Sequence, residues 1–102
     1  MSVTGIDFEA LRPQLAELCR RYGIAELSVF GSVARGDNRP DSDVDFLYVS
    51  ASDTGMDFGD LLGMEDELVR LLGRPVDLVP KLHLHRVIRP RVLAEAQVLY
   101  AV

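Results

Sequence analysis

The 102-residue chain sets 16 Asp and Glu against 11 Lys and Arg, a net charge of −5, with 48% hydrophobic residues and one cysteine. That length builds one domain, residues 1–102, around one core, and leaves no room for a second, substrate-binding domain. The acidic balance argues against gripping a polynucleotide through its phosphates. No apolar run is long enough for a membrane span, Met1 to Gly5 has no signal-peptide pattern, and the lone cysteine suits a reducing, cytoplasmic location.

Asp7 to Tyr22 repeats Phe8, Leu11, Leu15, Leu18, Cys19 and Tyr22 on one helical face. Thr4 or Asp7 is placed to cap this helix and Gly23 to end it. Cys19 belongs to the apolar face, so it is a packing residue and not a reactive thiol. Ile24 to Phe30 follows as a strand too apolar to be exposed on one side, and Gly31 ends it.

The predicted short helix, Ser32 to Gly36, opens on a Gly-Ser turn. Gly31 lets the backbone come close to a ligand. The N–H groups that start a helix form an anion cradle, helped by the helix dipole. Ser32 adds a hydroxyl, though Ser is also an ordinary helix cap. Arg35 can serve nucleotide phosphates or a structural carboxylate such as Asp37 equally well. Asp37 reads as a brace of the loop, and Asn38 to Ser42 as a turn.

Asp43 to Ser50 is the second strand, acidic at its start and continuously apolar from Phe46 to Val49, as when both faces are covered. Asp43 and Asp45 are two apart and share a face, roughly 6–7 Å from each other. At an effective dielectric near 20 their repulsion is roughly 2–3 kcal/mol, so a cation is expected between them. Hard divalent ions prefer such oxygens, and Mg²⁺ takes one or two from protein and leaves the rest to water and substrate phosphates. Asp41-x-Asp43-x-Asp45 also imitates the start of a calcium-binding loop. Phe46 stands where that loop needs glycine and Ser52 where it needs glutamate, which excludes it.

Ala51 to Asp57 reads as a loop with solvated acids. Phe58 to Leu72 is helical by spacing and ends at Gly73. Gly59 and Gly63 weaken it by roughly 1 kcal/mol each, which fits either local mobility or a close helix-to-sheet contact. Glu65, Asp66 and Glu67 read as a solvated face. Val76 to Val79 is a third strand with Asp77 alone among apolar neighbours, a carboxylate that is costly to bury without compensation. Beside the acidic pair, Asp77 is a candidate general base or second-metal ligand. The alternative is a structural carboxylate satisfied by a partner.

Lys81 to His85 alternates and gives way to a helix around Val87 to Ala96, with Pro90 early in it. His83 and His85 lack the third His or Cys that a transition-metal site needs. Gln97 to Val102 is a closing strand. The fold expected is α/β, a short mixed sheet of about four strands with packing helices and the site at one edge.

Gly31-Ser32-x-Ala34-Arg35-Gly36-Asp37 followed by Asp41-Ser42-Asp43-x-Asp45 resembles the signature of the minimal nucleotidyltransferase domains of the DNA polymerase beta superfamily. The resemblance implies two Mg²⁺ held by Asp43 and Asp45 with Asp77, ATP phosphates oriented by the Gly31-Ser32 turn, and attack of an acceptor hydroxyl on the α-phosphorus. It further implies an antitoxin that transfers AMP to a tyrosine of a HEPN-type toxin. Two other readings are an antitoxin that acts by occlusion with a vestigial nucleotide site, and a transferase acting on a small molecule such as an antibiotic. The latter lacks a second pocket wall unless an oligomer supplies one.

Overall fold

A computed structural model describes residues 6–36, 42–52 and 55–102. The expectations for Thr4, for Asp37 and for most of the turn after it fall outside these residues. In chain order the elements are α1 (Phe8–Arg21), β1 (Ile24–Phe30), α2 (Gly31–Arg35), β2 (Val44–Ser50), α3 (Phe58–Leu72) and β3 (Val76–Pro80). A 3₁₀ turn (Lys81–His83), α4 (Arg89–Glu95) and β4 (Gln97–Ala101) complete the chain. The sheet order is β3-β2-β1-β4, with β2 parallel to β3 and all other pairs antiparallel.

Side-chain alternation along β2 divides the interior. Val44 and Phe46 face α1 and α3, where they pack with Leu15, Leu18, Cys19, Met64 and Leu68. Leu47 points the other way, onto Leu84 and Val92, with Phe30 and Val79 beside them. Both sheet faces are therefore covered, as the unbroken apolar run of β2 requires. Phe8 closes the first layer edge-on to Phe46, with ring centroids 6.4 Å apart and planes at 87°. Cys19 is wholly buried, and burial pushes its thiol up to about 12, so the packing role holds.

The helix ends follow local chemistry. Asp7 Oδ1 accepts from Ala10 N–H at 3.1 Å and Asp57 Oδ1 from Asp60 N–H at 2.7 Å, each satisfying an otherwise orphaned donor. Gly73 ends α3 in the left-handed conformation, φ 70°. The last helix runs Arg89–Glu95 and not Val87 to Ala96, because Pro90 sits in its first turn, and Lys81 to His83 ahead of it forms a 3₁₀ turn. At the sheet's outer strand, Arg12 of α1 donates through Nη1 to Leu99 carbonyl oxygen at 2.9 Å.

Two expectations for α3 change. A Cβ on Gly63 would lie 3.1 Å from the Tyr22 hydroxyl, so this glycine serves a close approach to α1 and not to the sheet. Glu67 is not simply solvated: it pairs with Arg21 Nη2 at 2.7 Å and accepts from the Tyr22 hydroxyl. Those two donors hold its carboxyl below the usual range, the Tyr22 hydrogen bond contributing most.

Candidate active site

The parallel pairing of β2 with β3 puts Asp45 directly across from Asp77. Paired residues on parallel strands project to the same side about 4.8 Å apart, so the two carboxylates stand abreast. Asp43 lies one residue before β2 and is exposed, as is Asp77, whereas Asp45 is half-buried. Burial pushes the Asp45 carboxyl above its ordinary range, Asp77 and then Asp43 push it further, and Arg35 opposes them. The three acids therefore feel one another, although the sequence interval alone relates only two of them.

The turn above them is built against Asp45. Phe30 pairs with Asp45 across β1 and β2, and the next residue, Gly31, begins α2 with φ 77°. A Cβ at Gly31 would sit 2.5 Å from Asp45 Oδ2, closer than real side-chain atoms approach. Glycine is thus required twice, by its left-handed backbone and by the carboxylate over it. The cap position belongs to Phe30, which supplies no side-chain hydrogen bond, so Ser32 is not the helix cap. Gly36, φ 80°, closes the single turn.

Arg35 leaves the far end of α2 and pairs through Nη1 with Glu95 of α4, 3.1 Å from Oε2 and 3.3 Å from Oε1. Among the described residues this is the carboxylate partner that the motif left open. Gln97 Nε2 donates to Ala34 carbonyl oxygen at 3.1 Å, a second tie from the C-terminal part of the chain to α2. Below the acids, buried Arg74 donates through Nε and Nη2 to Ser42 carbonyl oxygen at 3.1 and 2.9 Å. With Val44 N–H donating to Pro75 carbonyl oxygen at 2.8 Å, this fixes how the chain enters β2 past Asp43.

Arg74 and Glu95 escaped the sequence reading, and Glu65 is not on the solvated face expected of it. Glu65 of α3 is half-buried, and burial first and Asp77 second raise its carboxyl above the usual range. Arg74-Pro75 did stand at the mouth of β3, but nothing in the sequence connects it to Ser42, and nothing connects Glu95 to Arg35 across 60 positions. His83 and His85 are exposed, and His85 Nδ1 accepts from Val87 N–H at 3.2 Å.

The donors suit a hard divalent cation. A phosphate resting on the start of α2 would face the Asp45 carboxylate, and the two negative groups are compatible only with positive charge between them. Among the described residues no three of the Asp, Glu, His and Cys side chains converge enough to hold an ion by themselves. The three carboxylates expected to share the ions, Asp43 and Asp45 with Asp77, are thus not gathered into a cage: Asp45 and Asp77 stand across from one another and Asp43 lies just before β2. Such a pair suits Mg²⁺, which keeps positions for water and phosphate oxygens.

Residues 11–99 match the family model of the nucleotidyltransferase domain. The protein adenylyltransferase MntA of Thermococcus cleftensis is 40% identical over 85 residues, covering 78% of each chain. A solved structure named provisionally as a minimal nucleotidyltransferase superposes with a TM-score of 0.73 at 38% identity, covering 92% of this chain and 97% of that one. A complex of tri-AMPylated HEPN toxin with MNT antitoxin from Shewanella oneidensis shares the fold, with a TM-score of 0.68 at 18% identity, covering 94% of this chain and 74% of the other.

Proposed function

Because the chain belongs to the nucleotidyltransferase domain family, we propose that it transfers AMP from ATP to a tyrosine hydroxyl of a HEPN-type toxin and so acts as that toxin's antitoxin. The observation that carries this reading is the in-register pair Asp45 and Asp77 lying beneath the glycine that opens α2. The N–H groups of the Gly31-Ser32 turn and the Arg35 guanidinium would hold the phosphate tail. Asp45 and Asp77, flanked by Asp43, would hold Mg²⁺, which neutralises charge on attacking and leaving oxygens when bound.

The acceptor oxygen forms its bond to the α-phosphorus as the bond to the β-phosphate bridging oxygen breaks and pyrophosphate leaves. Asp77, exposed where Asp45 is half-buried, would be the group to take the hydroxyl's proton, or else a second ligand to the metal. A protein acceptor fits the net charge of −5 better than a nucleic acid does, and the T. cleftensis relative carries the name protein adenylyltransferase. Among the described residues no helix is long and apolar enough to cross a membrane.

The test is the intact mass of a purified HEPN-type toxin that binds this chain, after incubation with ATP and Mg²⁺. Mass gains of whole AMP units with the wild type, absent with Asp45→Asn and Asp77→Asn, are expected. An unchanged mass in a stable complex would replace transfer by occlusion, and labelling that persists in both variants would remove the assigned chemistry.

A further inference from the structure

The sheet face that carries Asp45 and Asp77 also carries the segment from Lys81 to Ala94, and that segment has an unusual composition. It holds four of the chain's 11 Lys and Arg and none of its 16 Asp and Glu. Its inward side chains are few: Leu84 and Val92 are buried against Leu47. Its outward ones include Leu82 and Val87, each 75% exposed, together with Ile88 and Leu93. Arg86 and Arg91 stand exposed between these aliphatic groups, and neither has an ion-pair partner among the described residues. In an acidic chain this is a cationic strip studded with aliphatic side chains. It adjoins the site, because Glu95 at the end of α4 holds Arg35.

From this the geometry points to a docking surface for the acceptor protein, one that presents an acidic, apolar-lined groove to residues 82–93. The inference rests on the protein-acceptor reading above and says where on this chain that acceptor sits. Three features select the occupant. Unpaired Arg86 and Arg91 call for carboxylates opposite them, which steer encounter and fix register. The exposed Leu82, Val87 and Ile88 are anchors that gain only by entering an apolar groove. The strip has no Phe, Tyr or Trp and offers only His83 and His85 as rings for bases to stack on, which with its exposed aliphatic groups favours a protein over single-stranded RNA.

A second copy of the chain fits less well. Its acidic, partly apolar surface is α3, with Phe58 and Leu62 exposed, and α3 packs on the opposite face of the sheet from α4. Joining one copy's strip to another's α3 would be a head-to-tail contact that repeats without closing on itself.

The test uses the full chain and the purified HEPN-type toxin that binds it, and compares Arg86→Glu/Arg91→Glu and Val87→Asp with the wild type and with Arg70→Glu on the opposite side. Expected are a rise of at least tenfold in the toxin KM for the strip variants, an unchanged kcat at saturating toxin, unchanged affinity for ATP, and no change with Arg70→Glu. Wild-type affinity for the toxin should also fall as NaCl is raised. An unchanged KM in both strip variants overturns the proposal. So does a fluorescent single-stranded RNA that binds the wild type and is lost from the variants, or concentration-dependent growth of the wild type alone that the variants abolish. Were the toxin not labelled at all, calorimetric titration would still decide: binding that the strip variants weaken keeps the surface while transfer fails, and binding that they leave intact removes it. Circular dichroism melts within a few degrees of wild type establish that each variant is folded.

Discussion

Gly31 and Asp45 occupy one another's space: the missing side chain of the first is the room taken by the carboxylate of the second, with only 2.5 Å between the Cβ position and Oδ2. Gly31→Ala must therefore move Asp45 or the start of α2, in addition to a left-handed backbone that costs about 1–3 kcal/mol for a residue with a side chain. The expected outcome is a melting temperature lower by about 4–8 °C per kcal/mol lost. A misplacement of this kind costs on the order of 10²-fold in kcat. Calorimetry and a labelling assay check the two effects separately.

Asp45 itself should destabilise the metal-free protein. Its carboxyl is raised chiefly by burial and then by Asp77 and Asp43, so the folded state holds the proton more tightly than the unfolded chain. That contribution is fully present below the unfolded value of about 4 and is lost as pH rises through the higher folded value. Asp45→Asn, expected to be inactive in transfer, should melt above the wild type at neutral pH, because the amide carries no charge to bury. The gap should open as pH rises above about 4. Mg²⁺ with ATP should narrow it by stabilising only the wild type. Paired thermal scans from pH 3.5 to 7.5 measure this, and a gap that shrinks with pH would contradict it.

Arg35 and Glu95 predict a diagnostic asymmetry. The pair is partly solvent-exposed, 42% for the arginine side chain, so breaking it costs only about 0.2–1 kcal/mol of stability. Arg35→Ala should nevertheless raise the ATP KM at least tenfold, because a cation at the phosphate tail is gone. Glu95→Gln removes the negative charge beside the same guanidinium and should leave ATP affinity at or above wild type. Nucleotide titration by fluorescence separates the two.

Arg74 carries structural weight near the acids. Two donors of a charged, buried side chain reach one carbonyl oxygen, that of Ser42, and bonds to charged groups are worth about 1.5–3 kcal/mol. Arg74→Met is expected to lose about that much in urea denaturation and to lower kcat, since Asp43 follows immediately. Arg74→Lys should recover less than half, because a single ammonium cannot reproduce the fork.

The strands and helices were readable where their cause is local. β1 and α3 begin and end as their spacing predicts, since Gly31 and Gly73 punctuate them and Asp57 caps the latter. Asp43, Asp45 and the Gly-Ser turn were readable because strand alternation and glycine chemistry act within a few residues. Asp77 was singled out by a burial cost that it does not incur, since it is exposed, and only the parallel register of β3 on β2 puts it across from Asp45. The partners of Arg35, Arg74 and Glu67 were not readable. Each lies at least 32 positions away, and surface-type residues carry no periodic signal of whom they meet. The 3₁₀ turn after β3 was hidden for another reason: its alternation imitates a strand.

The bond from Arg12 to Leu99 bears on how these molecules behave when crowded. An outermost strand offers its main chain as a template on which other polypeptides can polymerise. Here one of the oxygens on that template is already spoken for by a guanidinium reaching over from the first helix. A neighbour pairing at that point would have to displace a charged group from the Leu99 oxygen.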